Sequence, residues 1–350
     1  MKSKDQILIV IPVYNSFINN DIDILSTEYN IKVNHYNWRK KLLIPFFLTL
    51  QFFNLLYHVK STTKIIIQFG GYWSLLPSLI GNLFSIPVFI VLHGTDCASI
   101  KHHNYGNLRK PLLRLFCNLS YKFSTLLLPV SKSLVMTINN YNKEEQNQGL
   151  KHFFPNLSTP SKVIHNGLNI EFWQPYPSQQ KEEKLFTAVF SDAQFVLKGG
   201  DLILQLAKKF TDCTFNIAGA NAPKTISNIP NNVHFLGKLS RENLKKLYNK
   251  SQFYFQLSIF EGFGLALCEA MLCECIPIGS SVNIIPDIIG NTGHITDKHD
   301  INSLSTIVKE ALSSDKKTQK GKMARERIIN KYPIDKRRKL LLSTVKNTKA

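Results

Sequence analysis

Between Phe253 and Met271 the chain passes from an apolar run through a glycine turn into a run of helix formers. Phe253-Tyr254-Phe255-Gln256-Leu257 reads as a strand. Glu261 to Gly264 reads as a turn, and Leu265 to Cys273 is rich in Ala, Leu, Met and Glu. The free N–H groups and positive dipole end of such a helix suit a phosphate or diphosphate. Glycine at 262 and 264 lets backbone approach a ligand closely. Glu261 lies on the turn and Glu269 more than one turn into the helix. Both can reach the crevice at the strand's carboxyl end, where open α/β sheets bind ligands. On the glycine turn alone, an ordinary helix cap with two surface glutamates is also a sufficient reading.

A chain of 350 residues accommodates two domains, and 44% apolar residues supply their cores. No apolar run reaches the roughly 18 residues of a spanning helix. Ile7 to Val13 is short, lacks a following cleavage site and reads as a first strand rather than a signal peptide. The six cysteines show no paired zinc spacing and read as reduced thiols of a cytosolic protein. The net charge of +19 attracts nucleotide sugars, anionic lipid and nucleic acid alike. With no zinc knuckle, RNP-like motif or helix-turn-helix pattern, nucleic acid is not the expected partner.

Arg39-Lys40-Lys41 leads into an apolar, aromatic-rich run ending at Tyr57. This suits a helix lying in a membrane interface, or one packed on the first domain's sheet, and both readings hold if one face packs inward. A strand from Lys64 to Phe69 ends in Gly70-Gly71, where a ligand loop or a plain turn can sit. The apolar strand Pro87 to Leu92 ends in His93-Gly94-Thr95-Asp96. Leu108 to Phe116 again mixes cations with apolar residues. Pro175 to Lys184 is polar and charged and reads as a linker. A second series of strands begins at Leu185.

The segment EGFGLALCEAM, with Ile276-Pro277 and Pro286-Asp287-Ile288-Ile289 after it, resembles the donor-binding signature of retaining glycosyltransferase family 4. His93-Gly94-Thr95-Asp96, Val163-Ile164-His165-Asn166-Gly167-Leu168-Asn169, Lys198-Gly199 and the strand ending Ala218-Gly219 resemble further family elements. The sequence departs from the family at Cys275, His165 and Asn169, and Ser191-Asp192 stand near where the family has an arginine. Asp21-Ile22-Asp23 looks like the metal-holding motif of another glycosyltransferase fold, but it follows the first strand too soon and is expected on a surface loop.

The resemblance implies an α/β chain of the GT-B fold, two Rossmann-like domains facing across a cleft, with a C-terminal helix returning to the N-domain. Residues 1–170 are the expected acceptor-side domain, 171–184 a linker, 185–330 the nucleotide-sugar domain and 331–350 the basic helix. It further implies retaining, metal-independent sugar transfer from a nucleoside-diphosphate sugar, with no cofactor, to a glycan or glycolipid hydroxyl. In that frame Glu261 and His93 are catalytic. Lys198, Phe263, Gly264, Leu265, Glu269 and Gly219 bind the donor, with Glu269 on the ribose, and Gly70, Gly71 and Asp96 line the acceptor side. A peripheral position at the inner face of the cytoplasmic membrane is expected from the basic and aromatic stretches, with Lys336 to Lys339 among them. A non-catalytic binding subunit and a nucleotide-sugar epimerase of the same architecture are the alternatives.

Overall fold

Ile65 to Ile67 and Val88 to Leu92 are apolar at every residue, the pattern of strands covered on both faces. The computed structural model, which describes residues 4–141 and 143–349, builds such runs into two units, each around its own parallel sheet.

The first unit takes the chain up to Thr137, Asn147–Gly167 and the residues from Asp335 on. Its strands are β1 (Gln6–Ile11), β2 (Asn30–His35), β3 (Thr62–Gln68), β4 (Val88–Leu92) and β5 (Leu126–Pro129). They lie in the order β2-β1-β3-β4-β5, every neighbouring pair parallel. The connecting helices are α1 (Ser16–Ser26), α2 (Ile44–His58), α3 (Tyr72–Leu83) and α4 (Pro111–Lys122). Strand order reverses between β1 and β3, so the loops at their carboxyl ends, including Gly70-Gly71, border the crevice where such sheets bind ligands. Two short strands, β6 (Thr137–Ile138) and β7 (Asn147–Gln148), and the single turn α5 (Leu150–Phe153) come next in the chain.

The second unit comprises Ile138–Gln146 and Leu168–Ile334. Its strands are β8 (Glu182–Val189), β9 (Thr214–Ala218), β10 (Val233–Phe235), β11 (Ser251–Gln256), β12 (Ile276–Ser280) and β13 (His294–Thr296). The all-parallel order β10-β9-β8-β11-β12-β13 is the doubly wound dinucleotide-binding order, reversing between β8 and β11. Its helices are α6 (Gly200–Lys209), α7 (Arg241–Lys250), α8 (Leu265–Leu272), α9 (Ile285–Ile289), α10 (Ile301–Ser313) and α11 (Lys317–Lys331). Phe186 stacks on Phe253, Phe255 and Phe215 with ring centroids 4.7, 5.0 and 5.2 Å apart, which ties the three central strands together.

Four boundaries differ from the sequence expectation. Residues 138–146 belong to the second unit, because Asn139 and Asn283 exchange hydrogen bonds of 3.2 and 3.3 Å and the Tyr141 ring packs edge-on against His299. Residues 168–181 are not a free linker: Trp173 is buried, Tyr176 N–H donates to Asn249, and Lys181 Nζ donates to the carbonyls of Tyr248 and Cys273. The second sheet begins three residues earlier than expected, at Glu182. The last helix, α12 (Ile334–Asn347), joins the first unit from Asp335 on. It buries Arg337, Leu341, Thr344 and Val345, one stripe at helical spacing.

Two further expectations are corrected. Asp21 lies not on a surface loop but inside α1, fully buried, where Arg337 Nε and Nη2 donate to its two oxygens at 2.6 and 2.7 Å. Arg337 is therefore not part of a basic surface. The run from Ile44 to His58 is helical, yet only Gln51 and Leu55 are buried in it. Phe46, Phe53 and Tyr57 are 57%, 63% and 83% exposed, so a wholly buried helix is ruled out.

Candidate active site

In the second unit the site grows out of the strand-order reversal. The loop after β8 carries Lys198-Gly199, and the loop after β11 carries the 257–264 turn. Ile259 N–H donates to Leu197 O at 2.8 Å, which draws the two loops together. Gly199 has φ +77°, and a Cβ there would stand 2.5 Å from that of Leu257, so glycine is required on both counts. Lys198 Nζ consequently reaches Glu261 Oε2 at 2.6 Å, with both side chains largely buried. Gln256 Nε2 and Ser258 Oγ donate to the same oxygen at 2.7 and 3.3 Å, and Glu261 N–H donates to Asn283 Oδ1 at 3.1 Å. Three donors on one oxygen fix the carboxylate's position.

Gly264, at φ +90°, starts α8, and a Cβ on it would lie 3.6 Å from Glu261 Cγ, so the helix begins beside the carboxylate. No side chain caps α8. The N–H groups of Leu265, Ala266 and Leu267 find no acceptor among the described residues, since the first backbone bond back to the turn is from Cys268 to Gly264 at 3.1 Å. An ion pair thus stands beside open, positively polarised N–H groups, an arrangement able to accept an anionic oxygen.

Glu269, further along α8, is half-buried, and its carboxylate accepts no hydrogen bond from a described residue. Burial pushes its pKa up to about 8, against the opposing field of Arg241. Of the other expected donor residues, Phe263 is buried edge-to-face with Tyr332 and offers a ligand only backbone. Gly219, at φ +90°, lets the chain close on Phe190 O, which a Cβ would meet at 2.6 Å. At the place of the missing arginine, Asp192 holds the next loop by accepting from Asn221 N–H and Nδ2 at 2.6 and 3.3 Å.

In the first unit His93 follows β4 and packs at a tilt against both Phe69 and Phe17, centroids 4.4 and 4.6 Å away. Burial and the charge of Arg337 hold its pKa well below the usual value, so the ring is neutral. Its tautomer follows from its neighbours. Asp21, paired with Arg337, can only accept, so Gln68 turns its amide Nε2 toward it, at 3.1 Å. Gln68 Oε1 then faces His93 Nε2 at 2.7 Å, and that nitrogen must carry the proton. Nδ1 is left as a buried acceptor without a partner.

Asp96 is corrected from a cleft-lining residue to an internal clamp. Fully buried, it accepts from the backbone N–H groups of Gly70, His93 and Gly94 at 3.0, 3.1 and 2.9 Å. Burial lifts its pKa to about 6 against those hydrogen bonds. Gly70 is there for packing, because a Cβ would run into the Tyr121 ring, while Gly71 N–H donates to Ser74 Oγ at 3.0 Å. The residue reading missed Gln68, Gln256, Ser258, Asn283 and Arg241. Gln68 and Gln256 did carry a signal, each being the polar last residue of a strand, directly after a three-residue apolar run.

Residues 174–330 match the family model described as Glycosyl transferases group 1. Over 83 residues the chain is 31% identical to O-antigen chain mannosyltransferase B of Escherichia coli, covering 24% of this chain and 22% of that protein. Over 246 residues it is 26% identical to an uncharacterized glycosyltransferase of Methanocaldococcus jannaschii, covering 68% and 62%. The chain thus spans less than two thirds of the length of these curated relatives. Sucrose-phosphate synthase from Thermosynechococcus elongatus superposes with a TM-score of 0.75 at 12% identity, covering 98% of both chains. Anabaena HepE in complex with UDP-glucose superposes at 0.71 and 16% identity, covering 98% and 100%. Both likenesses bear on the fold, which is GT-B. The signature, the doubly wound sheet and the family match converge on the same segment: residues 174–330 resemble a glycosyl transferases group 1 domain.

Proposed function

We propose that the chain is a retaining, metal-independent glycosyltransferase. It moves a sugar from a nucleoside-diphosphate sugar to a hydroxyl of a lipid-linked glycan, in surface polysaccharide or glycolipid synthesis at the inner face of the cytoplasmic membrane. One observation carries the reading: Lys198 meets Glu261 at 2.6 Å beside the open start of α8.

The donor's diphosphate is the leaving group, so the barrier falls when its growing charge is stabilised by preorganised donors. The N–H groups of 265–267 and Lys198 are such donors. Without donor substrate, Lys198 is neutralised by Glu261. An arriving diphosphate competes for the lysine and releases the carboxylate toward the sugar, where positive charge develops. Gln256 and Ser258 keep that carboxylate in place meanwhile. Glu269, whose carboxylate accepts from no described residue, accepts from the ribose hydroxyls. The pocket of about 740 Å³ between Asp192-Phe195 and Asn221-Ile226 is our candidate for the base. His93, neutral and protonated on Nε2, offers Nδ1 to a substrate hydroxyl from the first unit. The O-antigen names among the relatives and the exposed aromatics of α2 support a lipid-linked acceptor and a membrane seat. No helix among the described residues is long and apolar enough to cross a membrane.

The test is slow hydrolysis of a panel of sugar nucleotides by the whole chain, in chelator, followed by proton NMR. The expected first product is the free sugar with the donor's anomeric configuration. Inverted sugar, or no turnover of any donor, contradicts the proposal.

A further inference from the structure

A second pocket, of about 670 Å³, lies wholly in the first unit, between the start of α2, the start of α3 and α4. Its wall is apolar: Trp38, Trp73, Ile44, Leu48 and Phe116. The two indoles pack at a tilt of 48°, 6.1 Å apart between centroids. Arg39, Lys41 and Lys110 also line it, and none of the three is in an ion pair with a described residue. Lys110 is half-buried, and its pKa is lowered first by burial and then by the like charges of Arg109 and Lys41. Beside it, Arg109 Nε is buried without a partner. The sequence offers no counter-charge, since Asp96 is the single acidic residue between Glu28 and Glu144, and it is buried. Apolar side chains flank the pocket and face solvent: Leu42, Phe46 and Leu112 are 96%, 57% and 58% exposed.

Crowded unpaired cations are costly, and an apolar hollow in water is costly too. One ligand relieves both: an anionic group continuous with a hydrocarbon chain. We propose that this pocket holds the phosphate and the first carbons of the lipid-linked acceptor, with the phosphate at Arg39, Lys41 and Lys110 and the chain against Ile44, Leu48 and Phe116. The assignment rests on the lipid-linked acceptor proposed above, and gives it a place. The phosphate fixes how deep the lipid sits, and the exposed residues of α2 and α4 keep the rest of the chain in the membrane.

Trp38 and Trp73, two of the chain's three tryptophans, report on the pocket directly. The probe is dodecyl phosphate, titrated below its micelle concentration into the whole chain while tryptophan emission is read. The expected result is a saturable change in emission. Dodecanol, inorganic phosphate and the Lys41→Met/Lys110→Met variant should each require at least about tenfold more ligand. A second variant, Leu48→Asp, should lose the response through the apolar wall. Should it fail to fold, the lysine variant decides, because it removes two charges and leaves the apolar wall unchanged. Equal binding of dodecanol makes the pocket a plain apolar groove, equal binding of inorganic phosphate makes it an anion site, and no saturable change removes it; each overturns the proposal. Sugar-nucleotide hydrolysis without dodecyl phosphate binding sinks the pocket alone. Binding without hydrolysis sinks the transferase reading instead.

Discussion

Glu269 illustrates how one side chain can be prepared for a ligand at a cost to the ligand-free fold. Its folded pKa of about 8 stands above the unfolded value of 4.5. The folded state therefore binds more protons than the unfolded state between those values, and stability falls as pH rises through that window. Each unit of displacement corresponds to about 1.4 kcal/mol, and solvent at the half-buried residue trims the total. We expect the ligand-free protein to lose about 2 kcal/mol between about pH 5 and pH 9 from this group, and Glu269→Gln to flatten that slope in denaturant titrations. An unchanged slope contradicts the burial argument. His93 gives a second residue-scale test: at pH 6.5 its nitrogen-15 spectrum should show a neutral ring protonated on Nε2. An imidazolium, or a proton on Nδ1, breaks the chain of reasoning through Gln68 and Asp21.

At the scale of elements, α2 is the exception to the fold's economy. A helix apolar on nearly all sides that buries only Gln51 and Leu55 exposes more hydrocarbon than a water-facing helix needs. If it seats the chain on a membrane, the full chain floats with anionic vesicles at low salt and less so at high salt. Phe46→Ser/Phe53→Ser should weaken flotation further while leaving the melting temperature within a few degrees, since both rings face solvent. Unaltered flotation of that variant contradicts a role for α2. The helix itself and the basic run before it are legible in the sequence. Its exposure is not, because periodicity shows which residues are apolar but not what covers them. The glycine turn and α8 were legible for the opposite reason: Gly264 and the helix formers after it act over a few neighbouring residues. Lys198 meets Glu261 across 63 positions, and only the resemblance put both in one site.

The first unit is closed by contacts that no local reading finds. Arg337 and Asp21 are 316 positions apart, and Arg337 also donates to the carbonyls of Ile164 and His165 at 3.0 and 2.9 Å. One side chain thus ties the last helix to α1 and to the segment carrying Ile164 and His165. A buried ion pair broken on one side leaves an unpaired charge, so Arg337→Met should cost about 3–5 kcal/mol of stability, and Asp21→Asn/Arg337→Met should recover part of it. Chemical denaturation of the three proteins checks this, and a single variant as stable as the parent contradicts it. The strand runs follow from apolar patterning, and the two-sheet plan from chain length and the resemblance. The excursion of 138–146 into the second unit does not, since it depends on Asn139 finding Asn283. The central claim is that Lys198 and the start of α8 receive a donor diphosphate without metal. Calorimetric titration of UDP, GDP, ADP, CDP and dTDP into the full chain in chelator, alongside Lys198→Ala, tests it most directly. We predict that at least one nucleotide binds, and at least about tenfold more weakly to the variant; binding that needs a divalent ion, or that is equal in both proteins, would contradict the account.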